Sequence, residues 1–330
     1  MGNRSGTLEA VGIENADGKG GSAVVISVII LTYNREDMVG RAIESISRQT
    51  FRDFEMIVVD NGSEDDSGKI ADRFAREDNR IQVIHKEKGN IGSGRNAGLD
   101  AACGDYIAFV DDDDWVEPDF LEFLFGMITE TGADIAVCGT SVKPCEEKCV
   151  MTAEEAVLEL MRRKKYNTGF PTKMFSSKLF QKERFSDSEK TDDIGLIYKL
   201  MAGAGKVAYH GLPKYHVYRH PGNNSAWTTD HKLLTAEILE EYLQIYHVRT
   251  QWLSGRFPDR TGEFCCFEWS FMISMVEKVC RLKLTDCEEP LKRMRDELRK
   301  HGREFLGRPE IMEFEREWME KYIVYKEMTE

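Results

Sequence analysis

A short apolar run leads directly into four consecutive carboxylates in the segment Tyr106-Ile107-Ala108-Phe109-Val110-Asp111-Asp112-Asp113-Asp114-Trp115. The β-branched and aromatic residues of the run predict a buried strand over residues 106–110. Four adjacent carboxylates repel one another unless a cation or an arginine lies near them. The segment therefore predicts a strand that ends at a polar site.

The sequence on both sides of this segment alternates between short apolar strands and helical stretches. Before it, the pattern predicts strands at 24–31, 55–60 and 81–85 and helices at 36–48, 66–77 and 93–102. After it, a helix starts at Pro118, a strand covers 134–138, and Thr152 with Glu155 forms a capping box for a helix at 153–163. This alternation is typical of a largely parallel sheet, so we expect an α/β fold in which helices flank the sheet.

The composition divides the chain into three regions. Residues 1–23 are rich in glycine and small polar residues, which predicts a flexible N-terminal lead. Residues 24–226 contain the predicted strands, a helix around Ile194, Ile197 and Met201, and β-like pieces at 207–209 and 215–219. Residues 227–330 are predicted to form a helical C-terminal domain. We interpret its aromatic stretch at 264–272 as core, with a membrane-surface helix or a subunit contact as alternatives.

Charge and composition narrow the class of protein. The net charge of -13 argues against nucleic acid as a partner, because binding to a phosphate backbone needs clustered Lys and Arg. The longest apolar runs, at 23–31 and 269–276, are shorter than the roughly 20 residues of a membrane-spanning helix. The eight cysteines include no Cys-x-x-Cys pair, so we expect reduced thiols and a cytoplasmic location.

The spacing within the acidic run favours a metal site. Asp111 and Asp113 are two residues apart, so their carboxylates face the same side of an extended chain. Carboxylate oxygens are the ligands that Mg2+ and Mn2+ prefer. The alternative is a solvated acidic loop before the helix at Pro118, where the helix dipole favours acids. That alternative does not explain why four carboxylates directly follow an apolar strand.

Polar residues also follow the first two predicted strands. The first strand ends in Thr32-Tyr33-Asn34 and the second in Asp60-Asn61-Gly62-Ser63. In open α/β sheets ligands bind beyond the carboxyl ends of the strands, which predicts that these residues share one site with the acidic run. Asn34 and Ser63 could alternatively be helix N-caps, since each lies three residues before an acid.

The segment Gly92-Ser93-Gly94-Arg95-Asn96-Ala97 fits the dinucleotide fingerprint G-x-G-x-x-A. In dinucleotide-binding folds those glycines follow the first strand, whereas here they follow the third. A nicotinamide-dependent oxidoreductase is therefore kept only as an alternative.

Four of these motifs together resemble the family 2 glycosyltransferases of the GT-A fold. The resemblance covers about residues 24–225 and is carried by 28–34, 58–63, Arg95-Asn96-Ala97-Gly98 and 109–115. It implies a GT-A catalytic domain over 24–226 with Mn2+ or Mg2+ as cofactor. It also implies inverting transfer of a sugar from a nucleotide-diphosphate donor, with UDP favoured, to a hydroxyl of a saccharide or lipid-linked acceptor.

The same resemblance implies a role for each site residue. Asp113 binds the metal, and Asp111 is shared between the metal and the donor. The other donor-binding residues are Thr32, Tyr33, Asn34, Asp60, Arg95 and Asp112. Asp192 contacts the acceptor, although it replaces the Glu that is more usual in the family. Trp115, which adjoins the metal motif, is predicted to stack on the acceptor, with buried packing as the alternative. Asp193 is the general base that takes the acceptor's proton.

Several alternatives stay open at this point. Asp192 and Asp193 could only cap and charge the first turn of their helix, which would make the protein a non-catalytic sugar-nucleotide binder. His216 and His220 could complete the metal site or touch a phosphate. A lipid-linked acceptor is compatible with peripheral association at the inner face of a membrane, although the chain offers no basic patch for anionic lipid. A homodimer is also compatible with the sequence.

Overall fold

The computed structural model describes residues 24–141, 145–186, 192–220, 223 and 230–324, and only the backbone of Asp192. The predicted lead at 1–23 and the predicted domain boundary at 226/227 lie outside the described residues. The described residues form one nine-stranded sheet. Its strands are β1 Ile26–Thr32, β2 Phe54–Asp60, β3 Ile81–His85, β4 Tyr106–Asp111, β5 Trp115–Val116, β6 Ile135–Thr140, β7 Lys148–Thr152, β8 Lys173–Ser176 and β9 Lys206–His216.

The sheet begins with four parallel strands in the order β3-β2-β1-β4. β8 follows in the antiparallel direction and is paired with both β4 and β6. β9 runs parallel to β6 and pairs with the short strands β5 and β7. The parallel half of the sheet has all its carboxyl ends at one edge, which is the edge where ligands bind in open α/β folds.

Helices cover both faces of the sheet, and β1 is buried on both sides. Val28 and Ile30 pack into a hydrophobic cluster on the first face of the sheet, and Ile29 packs into a separate cluster on the opposite, second face. The first face carries α1 Val39–Ser47, α2 Ser67–Glu77 and α4 Phe120–Thr131. The second face carries α3 Ile91–Ala101, α5 Ala153–Arg162 and α6 Asp192–Gly203. A strand buried on both faces explains why 26–30 is apolar at nearly every position.

The C-terminal region is helical and has a hydrophobic core of its own. It contains α7 Ala236–Arg256, α8 Thr261–Leu282, α9 Glu288–Leu306, α10 Glu313–Met319 and a π turn, Glu320–Val324. Leu253 of α7 and Phe264 of α8 pack instead into the core of the α/β part. Trp269 and Met272 are buried between the C-terminal helices, which confirms the interpretation of the aromatic stretch as core. No helix in the described part of the chain is long and apolar enough to span a membrane.

The structure confirms the α/β prediction and corrects some of its elements. The capping box of Thr152 and Glu155 is present at the start of α5. The β-like pieces predicted at 207–209 and 215–219 form one strand, β9, that ends at His216. Pro213, which cannot donate a backbone hydrogen bond, lies where the β6–β9 register shifts, so the strand continues past it. The short strands β5, β7 and β8 were not predicted.

Candidate active site

Three predicted polar strand ends meet at the carboxyl edge of the sheet. In the β1–β2 register Thr32 pairs with Asp60, and in the β1–β4 register Leu31 pairs with Asp111. The parallel register therefore brings together residues that are far apart in sequence, as the sequence predicted. The donor-side residues Thr32, Tyr33 and Asn34 lie in the same loop layer as Asp60 and the acidic run.

The acidic run turns sharply after β4. The backbone N–H of Asp114 donates to the Asp111 carbonyl at 3.2 Å. Carboxylate oxygens of Asp111, Asp113 and Asp114 come within 4.8 Å of one another. Asp112 turns away from them toward Arg35, at 3.9 Å. Three carboxylates gathered around one point form an oxygen-only ligand set that fits a divalent cation such as Mg2+ or Mn2+.

Asp114 is held by hydrogen bonds from the end of β9. The Tyr215 hydroxyl donates to Asp114 at 2.7 Å, and the backbone N–H of Tyr218 donates to its other oxygen at 2.7 Å. The same Tyr215 hydroxyl accepts a bond from the backbone N–H of Asp111. Asp114 therefore fixes the shape of the acidic turn as well as adding charge to it.

The carboxylates of the run differ in their electrostatics. Burial raises the pKa of both Asp112 and Asp114 to about 6, and the neighbouring Asp113 carboxylate adds to both shifts. The Thr32 hydroxyl and Arg35 act in the opposite direction on Asp112. A bound cation would offset the mutual repulsion that raises these pKa values.

Asp113 contacts residues that the sequence left open or missed. The His220 Nε2 atom and the Asn223 amide nitrogen each lie 3.0 Å from Asp113 Oδ2. The Arg41 guanidinium donates to the Asp113 carbonyl. His220 was an open alternative as an extra metal contact, whereas Asn223 and Arg41 were not predicted. No local sequence signal identifies Arg41, because it reaches the site from α1.

Arg95 connects the acidic run to the candidate base. Its guanidinium donates to Asp193 and lies 3.5 Å from Asp111 Oδ1. The side chain is 9% exposed and packs over the rings of Phe109, Phe170 and Phe185. The sequence assigned Arg95 to the donor alone, so its contact with Asp193 is a new finding. An arginine can bond two carboxylates at once because its guanidinium carries five donors.

Asp193 lies in the first turn of α6, where the helix dipole favours a negative charge. It is half-buried, with 28% of its side chain exposed. Its ion pair with Arg95 places it beside the acidic run, which a mere helix cap would not require. The side chain of Asp192 lies outside the described residues, so its role stays a prediction.

The glycines beside Arg95 contact the sheet. A Cβ on Gly94 would lie 2.3 Å from Leu31 Cδ1, and one on Gly98 would lie 2.6 Å from Ile29 Cγ2. These positions therefore let α3 approach β1 closely. The contact of Gly94 accounts for one of the two glycines of the dinucleotide-like segment without a dinucleotide, and Gly98 lies just beyond that segment.

The loops after β1 and β2 bind each other. The backbone N–H of Asn34 donates to the Ser63 hydroxyl at 3.1 Å, and the Asn34 side chain accepts from Glu64 N–H at 2.8 Å. The N-cap alternative for Asn34 and Ser63 is wrong, since α1 and α2 begin after Met38 and Asp66 without side-chain caps. Asn34 instead ties the two predicted donor-binding loops together.

Asp60 is fixed by a histidine that the sequence did not single out. His85 Nδ1 lies 3.0 Å from one Asp60 oxygen, and the Ser63 N–H donates to the other at 3.0 Å. The second ring nitrogen of His85 lies 3.0 Å from Asp72. Hydrogen bonds to Asp60 and Asp72 raise the pKa of His85 above its ordinary value.

Tyr33 and Trp115 are in contact with cationic or aromatic neighbours. Lys88 Nζ lies 2.5 Å from the Tyr33 hydroxyl. The Trp115 ring stacks on His216 at 5.2 Å between centroids, and the Arg41 guanidinium lies 4.3 Å from its centre. Trp115 also lines an open groove of about 280 Å³ with Arg41, Glu44, Ser45, Arg48, Val116 and Pro118. Its contact with an acceptor stays a prediction.

The parallel sheet, the acidic turn at its carboxyl edge and the helical flanks define a glycosyltransferase of the GT-A type. The family described as Glycosyl transferase family 2 matches residues 27–188. Glycosyltransferase GlyG of Streptococcus pneumoniae is 32% identical over 206 residues, 56% of this chain and 67% of that protein. Putative glycosyltransferase EpsH of Bacillus subtilis is 30% identical over 210 residues, 59% of this chain and 61% of that protein. The chain belongs to glycosyltransferase family 2.

Solved structures show the same fold. The S. aureus TarS structure has a TM-score of 0.60 at 20% identity, covering 75% of this chain and 44% of that one. The mannosyltransferase PcManGT from Pyrobaculum calidifontis, in complex with GDP-Man and Mn2+, has a TM-score of 0.51 at 13% identity. It covers 92% of this chain and 86% of that one. Membership of glycosyltransferase family 2 makes the protein a transferase and not the oxidoreductase kept as an alternative.

Proposed function

We propose that this protein is an inverting, metal-dependent glycosyltransferase that moves a sugar from a UDP donor to a hydroxyl of a saccharide or lipid-linked acceptor. The observation that carries the proposal is the chain of contacts from the acidic cluster through Arg95 to Asp193. This chain of contacts supports the proposal because one of its carboxylates, Asp193, could accept a proton and those of the acidic cluster could hold a cation. Single displacement needs these two functions at one site.

The donor half is assigned to the carboxyl edge of β1, β2 and β4. Asp111 and Asp113 would hold Mn2+ or Mg2+, with Asp114 in the same cluster. A cation bound there would neutralise the departing nucleoside diphosphate. Thr32, Tyr33, Asn34 and Asp60 would bind the nucleoside, and Asp112 and Arg95 the rest of the donor.

UDP is favoured over other carriers by the family resemblance and by one group of structural relatives. TarS residues 1–349 have been solved in complex with UDP and with UDP-GlcNAc. PcManGT, in contrast, binds GDP-Man, so the fold accommodates both bases. The base preference of this chain is therefore part of the experiment.

The acceptor half is assigned to Asp193. As the acceptor oxygen attacks the anomeric carbon, its proton passes to Asp193, and the bond to the nucleoside diphosphate breaks on the opposite side of the ring. Attack from the opposite side inverts the anomeric centre. Arg95 orients Asp193 before the acceptor arrives, and Trp115 and Asp192 would contact the acceptor.

The test measures nucleoside diphosphate release from UDP-glucose, UDP-GlcNAc and GDP-mannose, with Mn2+ and a panel of saccharide acceptors. We expect UDP release in the wild type and a loss of about 100-fold or more in both Asp113→Ala and Asp193→Asn. Asp66→Asn, on an exposed acid paired with Lys69, is the matched control and should keep full activity. Wild-type turnover in either site variant contradicts the assignment. Saturable UDP binding without turnover on any acceptor would favour the non-catalytic alternative.

A further inference from the structure

A lysine is buried in the middle of the sheet, one strand away from the acidic run. Lys173 is 0% exposed and begins β8, where it pairs with Val137 of β6. An ammonium group is costly to remove from water, and an apolar side chain of similar length would fill the same space without that cost. The buried ammonium group of Lys173 is therefore expected to serve a role beyond filling space in the core.

The ammonium group of Lys173 holds the turn that precedes β8. It donates to the Gly169 carbonyl and lies 3.5 Å from the Thr172 hydroxyl. Thr172 has a φ of 78°, a left-handed conformation that is strained for a β-branched residue. The turn at 169–172 is therefore a strained segment that is held by a hydrogen bond from one buried cation, Lys173.

This turn lies directly beside the candidate base. A Cβ built on Gly169 would be 3.9 Å from Asp193 Oδ2. Any displacement of the turn would change the space on the side of the carboxylate that faces it. The position of the turn thus bears on how an acceptor hydroxyl could approach Asp193.

The charges around Lys173 connect it to the same carboxylate. Burial lowers the pKa of Lys173 to about 8, and the Asp193 carboxylate opposes this change. Cys138 of β6 is also near, but burial raises its own pKa to about 12, so its thiol is neutral at pH 7. The Tyr166 ring lies 5.9 Å from Nζ. Asp193 faces Arg95 from α3 as well, but Arg95 is divided between Asp193 and Asp111. Lys173 is a second cation in the surroundings of Asp193, on a different element.

We propose that Lys173 is a positioning residue for the acceptor half of the site, because it holds the 169–172 turn that lies beside Asp193 and adds a positive charge to the surroundings of that carboxylate. The proposal rests on the proposed role of Asp193 as general base. Lys173 acts through Asp193 and through the turn, and it is not assigned a contact with either substrate.

The main variant is Lys173→Met, which keeps the length of the side chain and removes its charge. We expect turnover near pH 7 to fall about 10-fold, a fraction of the contribution of a general base. We expect the donor KM to stay within about twofold of the wild type, since Lys173 lies on the acceptor side. Removal of a nearby cation raises the pKa of a carboxylate base, so activity should be lost at a higher pH as the solution is acidified.

A purely structural role predicts a different result. If Lys173 only stabilised the fold, Lys173→Met would lower the melting temperature and leave unchanged the pH at which activity is lost on acidification. Loss of a positioning charge shifts that pH in the protein that remains folded. Lys178→Met, on an exposed lysine five residues further along, is the matched control and should leave activity and pH profile unchanged. The proposal is overturned if Lys173→Met keeps wild-type turnover and loses activity on acidification at the same pH as the wild type.

Two further variants keep the test decisive if Lys173→Met does not fold. Lys173→Arg and Lys173→Gln both disturb the packing, but only Gln removes the charge. The pH at which activity is lost on acidification should shift in Lys173→Gln and stay at the wild-type value in Lys173→Arg. The same pH in both variants overturns the proposal. Asp193→Asn is measured in parallel. If it stays active the proposed base is wrong, whereas an inactive Asp193→Asn beside a wild-type-like Lys173→Met contradicts only the role of Lys173.

Discussion

Arg95 contacts one carboxylate from each of the two proposed halves of the site. It lies between Asp193 and Asp111, over a bed of three phenylalanine rings. Lysine carries one ammonium group in place of a planar fork, so it cannot bond two carboxylates in the same way. We therefore expect the arginine to set the distance between the acidic run and the proposed base, Asp193.

We expect Arg95→Lys to lower kcat about 100-fold while the protein stays folded, because misplacement of reacting groups by about 1 Å has an effect of that size. The measurement is UDP release under saturating donor, with the melting temperature as a check on folding. Arg281→Lys provides the control, since Arg281 is exposed on α8 of the C-terminal region and pairs with Glu277. A kcat within threefold of the wild type would show that the bridge is dispensable.

The raised pKa of His85 predicts the sign of a pH dependence of stability around the ends of β2 and β3. Hydrogen bonds to Asp60 and Asp72 raise its folded-state pKa above 6.5. Its contribution to stability is therefore fully present below the unfolded pKa of about 6.5 and is lost as the pH rises through the higher folded pKa. Half of the side chain is exposed, so solvent screening keeps the effect small.

We expect the melting temperature of His85→Gln to lie below that of the wild type at pH 6 and to approach it by pH 9. Thermal unfolding across that range measures the difference. Asp72→Asn removes one of the two carboxylates and should give a smaller difference of the same sign. If the difference in melting temperature between the wild type and His85→Gln increased as the pH rises, the assigned direction of the pKa shift would be contradicted.

At the scale of elements, the contact between α3 and β1 decides where Arg95 lies. Gly94 and Gly98 let the helix approach Leu31 and Ile29 closely enough for the guanidinium to reach both acids. A larger residue on this face of α3 would push the helix outward. The packing of one helix is thus coupled to the geometry of the site.

We expect Gly98→Ala to lower the free energy of unfolding by about 1–3 kcal/mol, because its Cβ would lie 2.6 Å from Ile29 Cγ2 and the core must shift. Gly126→Ala in α4 is the matched control. No atom lies within 4 Å of its Cβ position, so the better helix propensity of alanine should stabilise the protein by about 0.5–1 kcal/mol. Urea denaturation measures both changes. Equal effects of the two substitutions would show that the close approach is not rigid.

The elements that the sequence predicted are those with strong local patterns. β3 lies at Ile81–His85 as predicted, and α5 has its predicted capping box. Strand ends carry polar motifs, so Thr32, Asp60 and Asp111 could be placed at one edge before the sheet was seen. β8, by contrast, has only four residues and starts with a lysine, and its burial comes from β4 and β6 on either side.

Individual side-chain contacts between distant segments could not be predicted, although the meeting of the strand ends could. Arg95 and Asp193 are 98 residues apart, and His220 and Asp113 are 107 apart. No periodicity or motif connects such pairs, since the fold alone brings them together. The residue types of the site could therefore be predicted from the sequence, whereas the pairs that their side chains form became evident only in the structure.

At the scale of the whole molecule, the C-terminal helices belong to the same packed body as the sheet. Leu253 and Phe264 lie in the core of the α/β part, and their own exposed fractions are 0% and 2%. Trp252 also packs against Tyr198 of α6, with ring centroids 5.5 Å apart. The junction of α7 and α8 therefore completes the face of the sheet that carries α5 and α6, behind Asp193.

We expect Phe264→Ala to lower the free energy of unfolding by about 3–5 kcal/mol, the usual loss for a buried phenylalanine. Because its ring packs in the core of the α/β part, amide hydrogen exchange in β1 and β4 should accelerate together with exchange in α8. Phe314→Ala on α10 is the control. Its ring is 45% exposed, so its effect should stay within about 0.5–1 kcal/mol. If amide hydrogen exchange accelerated only in the C-terminal helices, these helices would unfold separately and the sheet would stay folded without their packing.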